Sequence, residues 1–229
     1  MQMSFCVLSK LCIELAASSG MVNVLGLCDF RLVLIKLFAD QLPREAAAVV
    51  VGALFKVWNN LEFWSMLAFD LLTVYCKDLA SFCVMDCVMA NGLKALFLYR
   101  LTVCSRALIL KRFLTSLMSA VCGCEIGIGA SIGKFVLLAH ANGVILGRQA
   151  VVGDNVVIMH NVTLGASGNR IEQARRHPTV CSGVYLGASA KLLGDLNVGH
   201  CGCVAANAVL TRDLLPYNTA VNLPARVLI

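Results

Sequence analysis

The sequence predicts an α+β chain, with a helical leading region followed by a parallel β-helix, and three observations predict it. Thirteen aliphatic residues recur every six positions in three registers: Ile126, Ile132 and Leu138; Leu146, Val152, Ile158 and Leu164; and Val180, Leu186, Leu192, Val198, Val204 and Leu210. No α-helix repeats every six residues, whereas short strands that turn after each hexad do, and coils built this way share one continuous core. Composition also changes at Gly123: nine of ten Phe precede it, while thirteen of eighteen Gly and all four His follow it. Finally, the repeat breaks twice, by eight residues between Leu138 and Leu146 and by sixteen between Leu164 and Val180, and each break carries a histidine. Loops on a rigid scaffold are where function concentrates.

Taken in order, residues 1–40 are apolar and weakly patterned, with turn signals at Ser18-Ser19-Gly20. Pro43, followed by Arg44 and Glu45, opens a helix expected to run to Val57, with Asn59-Asn60 ending it. Leu61 to Met89 reads as further helix carrying Asp70, Asp78 and Asp86 at steps of eight. Gly92 interrupts that pattern, and a last helix is expected from about Leu93 to Ser119. Ala120 to Cys124 leads into the repeat, and Thr211-Arg212-Asp213 and Pro216 leave it. The expected division is a helical domain over 1–123 and a β-helical domain over 124–229.

Composition narrows the function classes. At 59% hydrophobic residues and a mean hydropathy of +0.80, a membrane protein has to be considered. A spanning helix needs about twenty apolar residues, and the longest uncharged stretch, Leu196 to Thr211, belongs to the repeat. The first residues also lack the basic and apolar regions of a secretion signal. A chain that buries its apolar surface in an oligomer is the expectation, with no membrane partner. The twelve Cys run from Cys6 to Cys203 in no disulfide-like framework, and Cys122-Gly-Cys124 and Cys201-Gly-Cys203 are too tight for zinc. They read as reduced thiols filling apolar space in a cytoplasmic protein, with no metal. The net charge of +6 suits a polyanionic ligand. Nucleic acid is not expected, because the aromatics lie almost wholly outside the repeat.

The segment from Glu125 to Arg226 resembles the hexapeptide-repeat serine O-acetyltransferases. The resemblance rests on the strings AHANG (139–143), NVTLGASG (161–168), RHP (176–178), GVYLGASAKLLG (183–194) and LPAR (223–226), and on GLKALFLYR (92–100) upstream. It implies a left-handed β-helix and acetyl transfer from acetyl-CoA to the hydroxyl of L-serine, giving O-acetylserine for cysteine synthesis. Such a transfer needs a base for the hydroxyl proton and donors for the oxyanion, and histidine suits the base role. The resemblance makes His140 the base and Glu125, fifteen residues earlier, the acid that orients it. It also implies that Asp70 holds the substrate amine, that Arg176 binds its carboxylate with a two-pronged guanidinium, and that His177 sits beside it. Coenzyme A would run past Gly165, Ala166, Gly187 and Ala188. The sequence departs from the family pattern at Ala139, where an Asp is usual, at Cys203, where a Lys faces the cofactor, and at Gly127 and Ile128, where His and Pro follow the acid.

The resemblance further implies a trimer or a dimer of trimers, a hexamer, with active sites between adjacent β-helices. No stable complex with the sulfhydrylase that follows in the pathway is expected, because Ile229 lies three residues past Arg226 and cannot reach a buried pocket. Alternatives are an O-acetyltransferase acting on a sugar hydroxyl, a catalytically weakened scaffold subunit, and a hexapeptide carbonic anhydrase using His140, His160, His177 or His200.

Overall fold

The computed structural model describes residues 40, 42–57, 60–78, 87, 89–168 and 175–222. Ser18-Ser19-Gly20, Asn59, Asp86, Arg170, the LPAR string and Ile229 lie outside the described residues.

Four helices lead. Helix α1 (Arg44–Val57) starts after Pro43, whose carbonyl accepts the Ala47 N–H. Helix α2 (Leu61–Lys77) is capped by Asn60, whose side chain accepts the Phe63 N–H at 3.1 Å. Asn60 therefore opens the second helix as well as lying past the first. The continuous helix expected to Met89 stops at Lys77, where Asp78 turns extended and its N–H closes on the Val74 carbonyl.

Helices α3 (Asn91–Cys104) and α4 (Leu108–Cys122) replace the single helix expected from Leu93 to Ser119. Ser105 ends α3 by adopting an extended backbone, and its hydroxyl donates to the Leu101 carbonyl at 2.8 Å. Such a side-chain bond competes with the helical ladder, and the chain folds back so that α4 packs on α3. Helix α3 is central: Leu93 and Ala95 to Thr102 are all buried, against α1, α2, α4 and the β-helix. Gly123 closes α4 in the left-handed region (φ 64°), where glycine carries no steric penalty.

Fourteen short strands follow: β1 (Glu125–Ile126), β2 (Ser131–Ile132), β3 (Leu137–Leu138), β4 (Ile145–Leu146), β5 (Val151–Val152), β6 (Val157–Ile158), β7 (Thr163–Gly165), β8 (Thr179–Val180), β9 (Tyr185–Leu186), β10 (Lys191–Leu193), β11 (Asn197–Val198), β12 (Cys203–Val204), β13 (Val209–Leu210) and β14 (Thr219–Ala220). They form three parallel sheets ordered β1-β4-β7-β10-β13, β11-β8-β5-β2 and β14-β12-β9-β6-β3, called the first, second and third faces below. The chain visits the faces in turn, so the solid is a three-sided prism. All thirteen hexad residues are buried, as are Ala130, Val136, Ala150, Val156, Val162, Val184, Ala190 and Ala208 four positions on. The sixfold period thus counts one inward aliphatic per face.

Register shows what the two breaks do. Ile145 pairs with Thr163 and Lys191 with Val209, one coil of eighteen residues in each case. Glu125 pairs with Ile145 after twenty residues, and Thr163 with Lys191 after twenty-eight. The prism continues through both breaks.

Helices and β-helix share one core. Tyr99 donates its hydroxyl to the Ala130 carbonyl and accepts the Ile132 N–H, both at 3.0 Å. Arg100 donates to the Ile132 carbonyl at 2.7 Å and the Gly133 carbonyl at 2.6 Å. At the start of α3, Gly92 lies so close to β3 that a Cβ there would fall 1.9 Å from the Leu138 carbonyl oxygen. Among the described residues no helix is long and apolar enough to cross a membrane.

Candidate active site

The first break forms the edge where the third face passes into the first. Ala139 keeps the ladder, its N–H donating to the Ile158 carbonyl at 2.9 Å, and Gly143 rejoins it by donating to the Gly123 carbonyl at 2.7 Å. Between them the bulge turns through two left-handed residues, His140 (φ 55°) and Gly143 (φ 71°). A histidine in that region is uncommon and marks a constrained position. His140 is exposed, and its ring centroid lies 6.4 Å from that of His160, which occupies the same edge one coil on.

Glu125 reaches this edge too. It is exposed at the start of β1, two residues after the Gly123 carbonyl on which the bulge rests. The register pairs Glu125 with a residue past the bulge rather than with His140. With two residues added to the coil, the backbone neighbour of Glu125 is Ile145. Glu125 and His140 share an edge, with Gly187 and Ala188 two coils further on.

The second break lies on the next edge, between the first and second faces. Gly165 ends β7 there, Ala166 follows, and Arg176 and His177 precede β8. The His177 ring lies against Gly147, where a Cβ would come within 1.9 Å of Cδ2. Gln149, on the same edge, accepts the Arg176 backbone N–H at 3.1 Å, and its Oε1 stands 3.1 Å from His177 Nδ1. Burial, and then the neighbouring Arg176 charge, hold His177 below the usual imidazole pKa. Arg175 is committed to Asp195 at 3.5 Å and to the Thr179 hydroxyl. The Arg176 guanidinium bonds to nothing among the described residues. Sequence reasoning missed Gln149, which sits in an unbroken hexad and gives no signal there.

The expectation for Asp70 is corrected. Its side chain has no exposed surface, and both carboxylate oxygens are taken by Arg100, at 3.0 Å from Nε and 3.2 Å from Nη2. Burial raises its pKa, partly offset by Arg100. A carboxylate closed on both oxygens has no face for a substrate ammonium. Asp70 instead holds the guanidinium that fastens α3 to the β2 carbonyls.

The four histidines fall on three edges. His140 and His160 share one, His177 lies on the second, and His200, between β11 and β12, lies on the third. Cys122 and Cys124 are buried, and burial pushes their thiols up to about 11 and about 12. They are protonated core fillers at neutral pH.

The fold is that of the hexapeptide-repeat acyltransferases, with His140 lifted off one edge and Arg176 on the next. No family profile matches the chain. The serine acetyltransferase of Bacillus subtilis is 33% identical over 174 residues, which covers 73% of this chain and 78% of the relative. Among solved structures, soybean serine acetyltransferase complexed with serine aligns with a TM-score of 0.76 and 30% identity, covering 85% of this chain and 82% of that one. Serine acetyltransferase of Brucella abortus in complex with coenzyme A aligns with a TM-score of 0.77 and 29% identity, over 98% of this chain and 92% of that one. The chain belongs to the serine acetyltransferase family, and its β-helix is the left-handed form.

Proposed function

We propose that this protein transfers the acetyl group of acetyl-CoA to the hydroxyl of L-serine, with His140 as general base. The single observation that carries this reading is the His140 bulge: two residues inserted into an otherwise regular coil leave one exposed imidazole on a left-handed backbone. In the reaction His140 takes the hydroxyl proton, and the serine oxygen attacks the thioester carbonyl. The tetrahedral intermediate then collapses, expelling the thiolate, which recovers the proton. No acyl-enzyme forms. Glu125, on the same edge, is placed to stabilise the imidazolium once the substrate closes the site. The Arg176 guanidinium, which bonds to nothing among the described residues, takes the serine carboxylate, with His177 beside it. Gly165, Ala166, Gly187 and Ala188 line the path for coenzyme A, where the lack of bulky side chains admits it.

The site is divided. The stretch Gly143 to Gly147 crosses the first face between the two edges, a distance of roughly 13 Å at about 3.3 Å per residue. His140 and Arg176 of one chain thus project from different edges, separated by the whole of the first face. We therefore read the functional unit as a ring in which the His140 edge of one chain meets the Arg176 edge of the next, most simply a trimer. Exposed apolar side chains on the helices, Phe55, Leu61, Val103, Leu108 and Ile109 among them, support a role for residues 1–123 in pairing trimers into a hexamer. A cytoplasmic protein with reduced thiols, making no stable complex with the sulfhydrylase, belongs to the same reading.

The test is thiol release by the purified full chain supplied with acetyl-CoA and L-serine. Serine-dependent release with O-acetylserine as product is expected. Release that ignores serine but follows a sugar acceptor would replace the acceptor, and no release with any acceptor would leave a scaffold.

A further inference from the structure

Acetyl transfer needs a donor for the oxyanion as well as a base, and His140 meets only the second need. His160 stands just outside the strings that carry the family likeness. It occupies the first edge one coil past the bulge, with its ring centroid 6.4 Å from that of His140 and the ring planes at 62°. The Ser189 N–H donates to its carbonyl at 2.9 Å, so Gly187 and Ala188 follow one coil further on. Along this edge the order is therefore His140, His160 and the pair proposed to line the coenzyme A path. The His160 imidazole is half-buried, yet its ring nitrogens bond to none of the described residues. The spacing of the two rings is built in. The Asn161 N–H donates to the Asn142 carbonyl inside the bulge at 2.9 Å, and a Cβ on Gly143 would fall 1.8 Å from Asn161 Oδ1. Lys191 fixes the other side of the same turn, donating from Nζ to the Asn161 carbonyl at 2.5 Å and to the Thr163 hydroxyl at 3.0 Å.

We propose that His160 is a second catalytic residue, which donates an imidazole N–H to the thioester carbonyl and holds the oxyanion of the tetrahedral intermediate. This rests on the acetyl-transfer reading above. An imidazole carries an N–H in either tautomer and in its charged form, so the ring always has a donor to give. Two oxygens on one carbon, each reached by a hydrogen bond of about 2.7–3.0 Å, fit between rings 6.4 Å apart. The serine oxygen lies on His140 and the former carbonyl oxygen on His160. The hydroxyl proton passes to His140 as the new C–O bond forms, and the carbonyl electron pair moves onto oxygen. That pair returns as the C–S bond breaks, and the leaving sulfur takes the proton from His140. His160 keeps its own proton throughout, so it is a donor and not a second acid.

Purified full-chain wild type, His160→Leu and His160→Gln are compared in steady state. Leucine removes the donor, and glutamine puts an N–H back at similar reach. Loss of one oxyanion donor costs roughly 10²–10³ in kcat. His160→Leu is expected to lose that much, with KM for serine and for acetyl-CoA little changed, and His160→Gln to recover to within about tenfold of wild type. A second measurement needs no turnover. In the His140→Ala protein, bound acetyl-CoA carrying carbon-13 at its carbonyl is read by isotope-edited infrared difference spectroscopy. The carbonyl stretch is expected below that of free acetyl-CoA, and adding His160→Leu should return it to the free position. His160→Leu with near-wild-type kcat, or His160→Gln no more active than His160→Leu, overturns the donor role. A bound carbonyl stretch that ignores His160 overturns it as well. A wild type inactive toward serine whose carbonyl stretch still moves with His160 overturns the serine reading and leaves the donor standing. An inactive wild type whose carbonyl stretch does not respond overturns both.

Discussion

His140 is the proposed base, and its environment makes a clean experiment. It is exposed and lies outside the packed core, so His140→Ala should leave folding and assembly unchanged. Removing a general base typically costs on the order of 10²–10⁴ in rate, and kcat should fall by that much with serine KM little altered. Glu125→Gln should cost less, because it keeps a hydrogen-bonding shape and loses only the charge. Near-wild-type turnover by His140→Ala would remove the base. His177 offers a pH test whose sign is fixed. Its folded pKa is depressed, so the unfolded chain takes up the proton first as pH falls, and stability contributed by the neutral ring declines below the ordinary value near 6.5. His177→Gln should flatten that part of the denaturant midpoint against pH, and an unchanged slope would contradict the assignment. At this scale the sequence was legible where the hexad breaks: both edge histidines and Arg176 stand in breaks. It was misleading at Asp70, because a spacing of eight along one helix says nothing of an arginine thirty positions later that closes on both carboxylate oxygens.

Secondary elements decide whether the His140 edge is held in place, and two contacts between helix and β-helix carry that load. The Asp70–Arg100 pair is buried, and removing one partner of such a pair strands the other at a cost of about 3–5 kcal/mol. Asp70→Leu should lower the thermal midpoint strongly, and adding Arg100→Met should recover part of the loss. Equal melting of the single variant and wild type would mean the pair is not buried in solution. Gly92 is the second contact. An alanine Cβ would fall 1.9 Å from the carbonyl oxygen of Leu138, two residues before His140. Overpacking costs about 1–3 kcal/mol, and here the strain is applied directly to the catalytic bulge. Gly92→Ala should therefore reduce kcat more than Gly52→Ala, which has open space around it. The β-helix was readable from Ile126 to Leu210 because each hexad slot is filled by Ile, Leu or Val, but not its end: past the residues expected to leave the repeat, Leu214 still bridges Val198 and β14 pairs with β12. The helix ends were not. No glycine or proline marks Ser105-Arg106-Ala107, and the break there comes from the tertiary need to fold α4 back onto α3.

For the whole molecule, one geometric fact bears on the proposed function: His140 and Arg176 lie on different edges of a single prism. Sequence spacing separates the two breaks along the chain but does not tell which edge each falls on. That depends on counting faces, and the twenty-residue first coil shifts the count. The central claim, one site assembled from two chains, is tested most directly by complementation. His140→Ala and Arg176→Ala, each nearly inactive alone, are co-expressed with different tags, and the mixed oligomer is isolated through both. Isolation through both tags leaves only mixed rings, and a mixed trimer of either composition has one intact His140–Arg176 pair among its three sites, so thiol release with acetyl-CoA and serine should rise to roughly a third of wild type. If the mixed oligomer forms and its activity does not exceed that of either variant alone, both residues serve the same chain and the shared site is wrong.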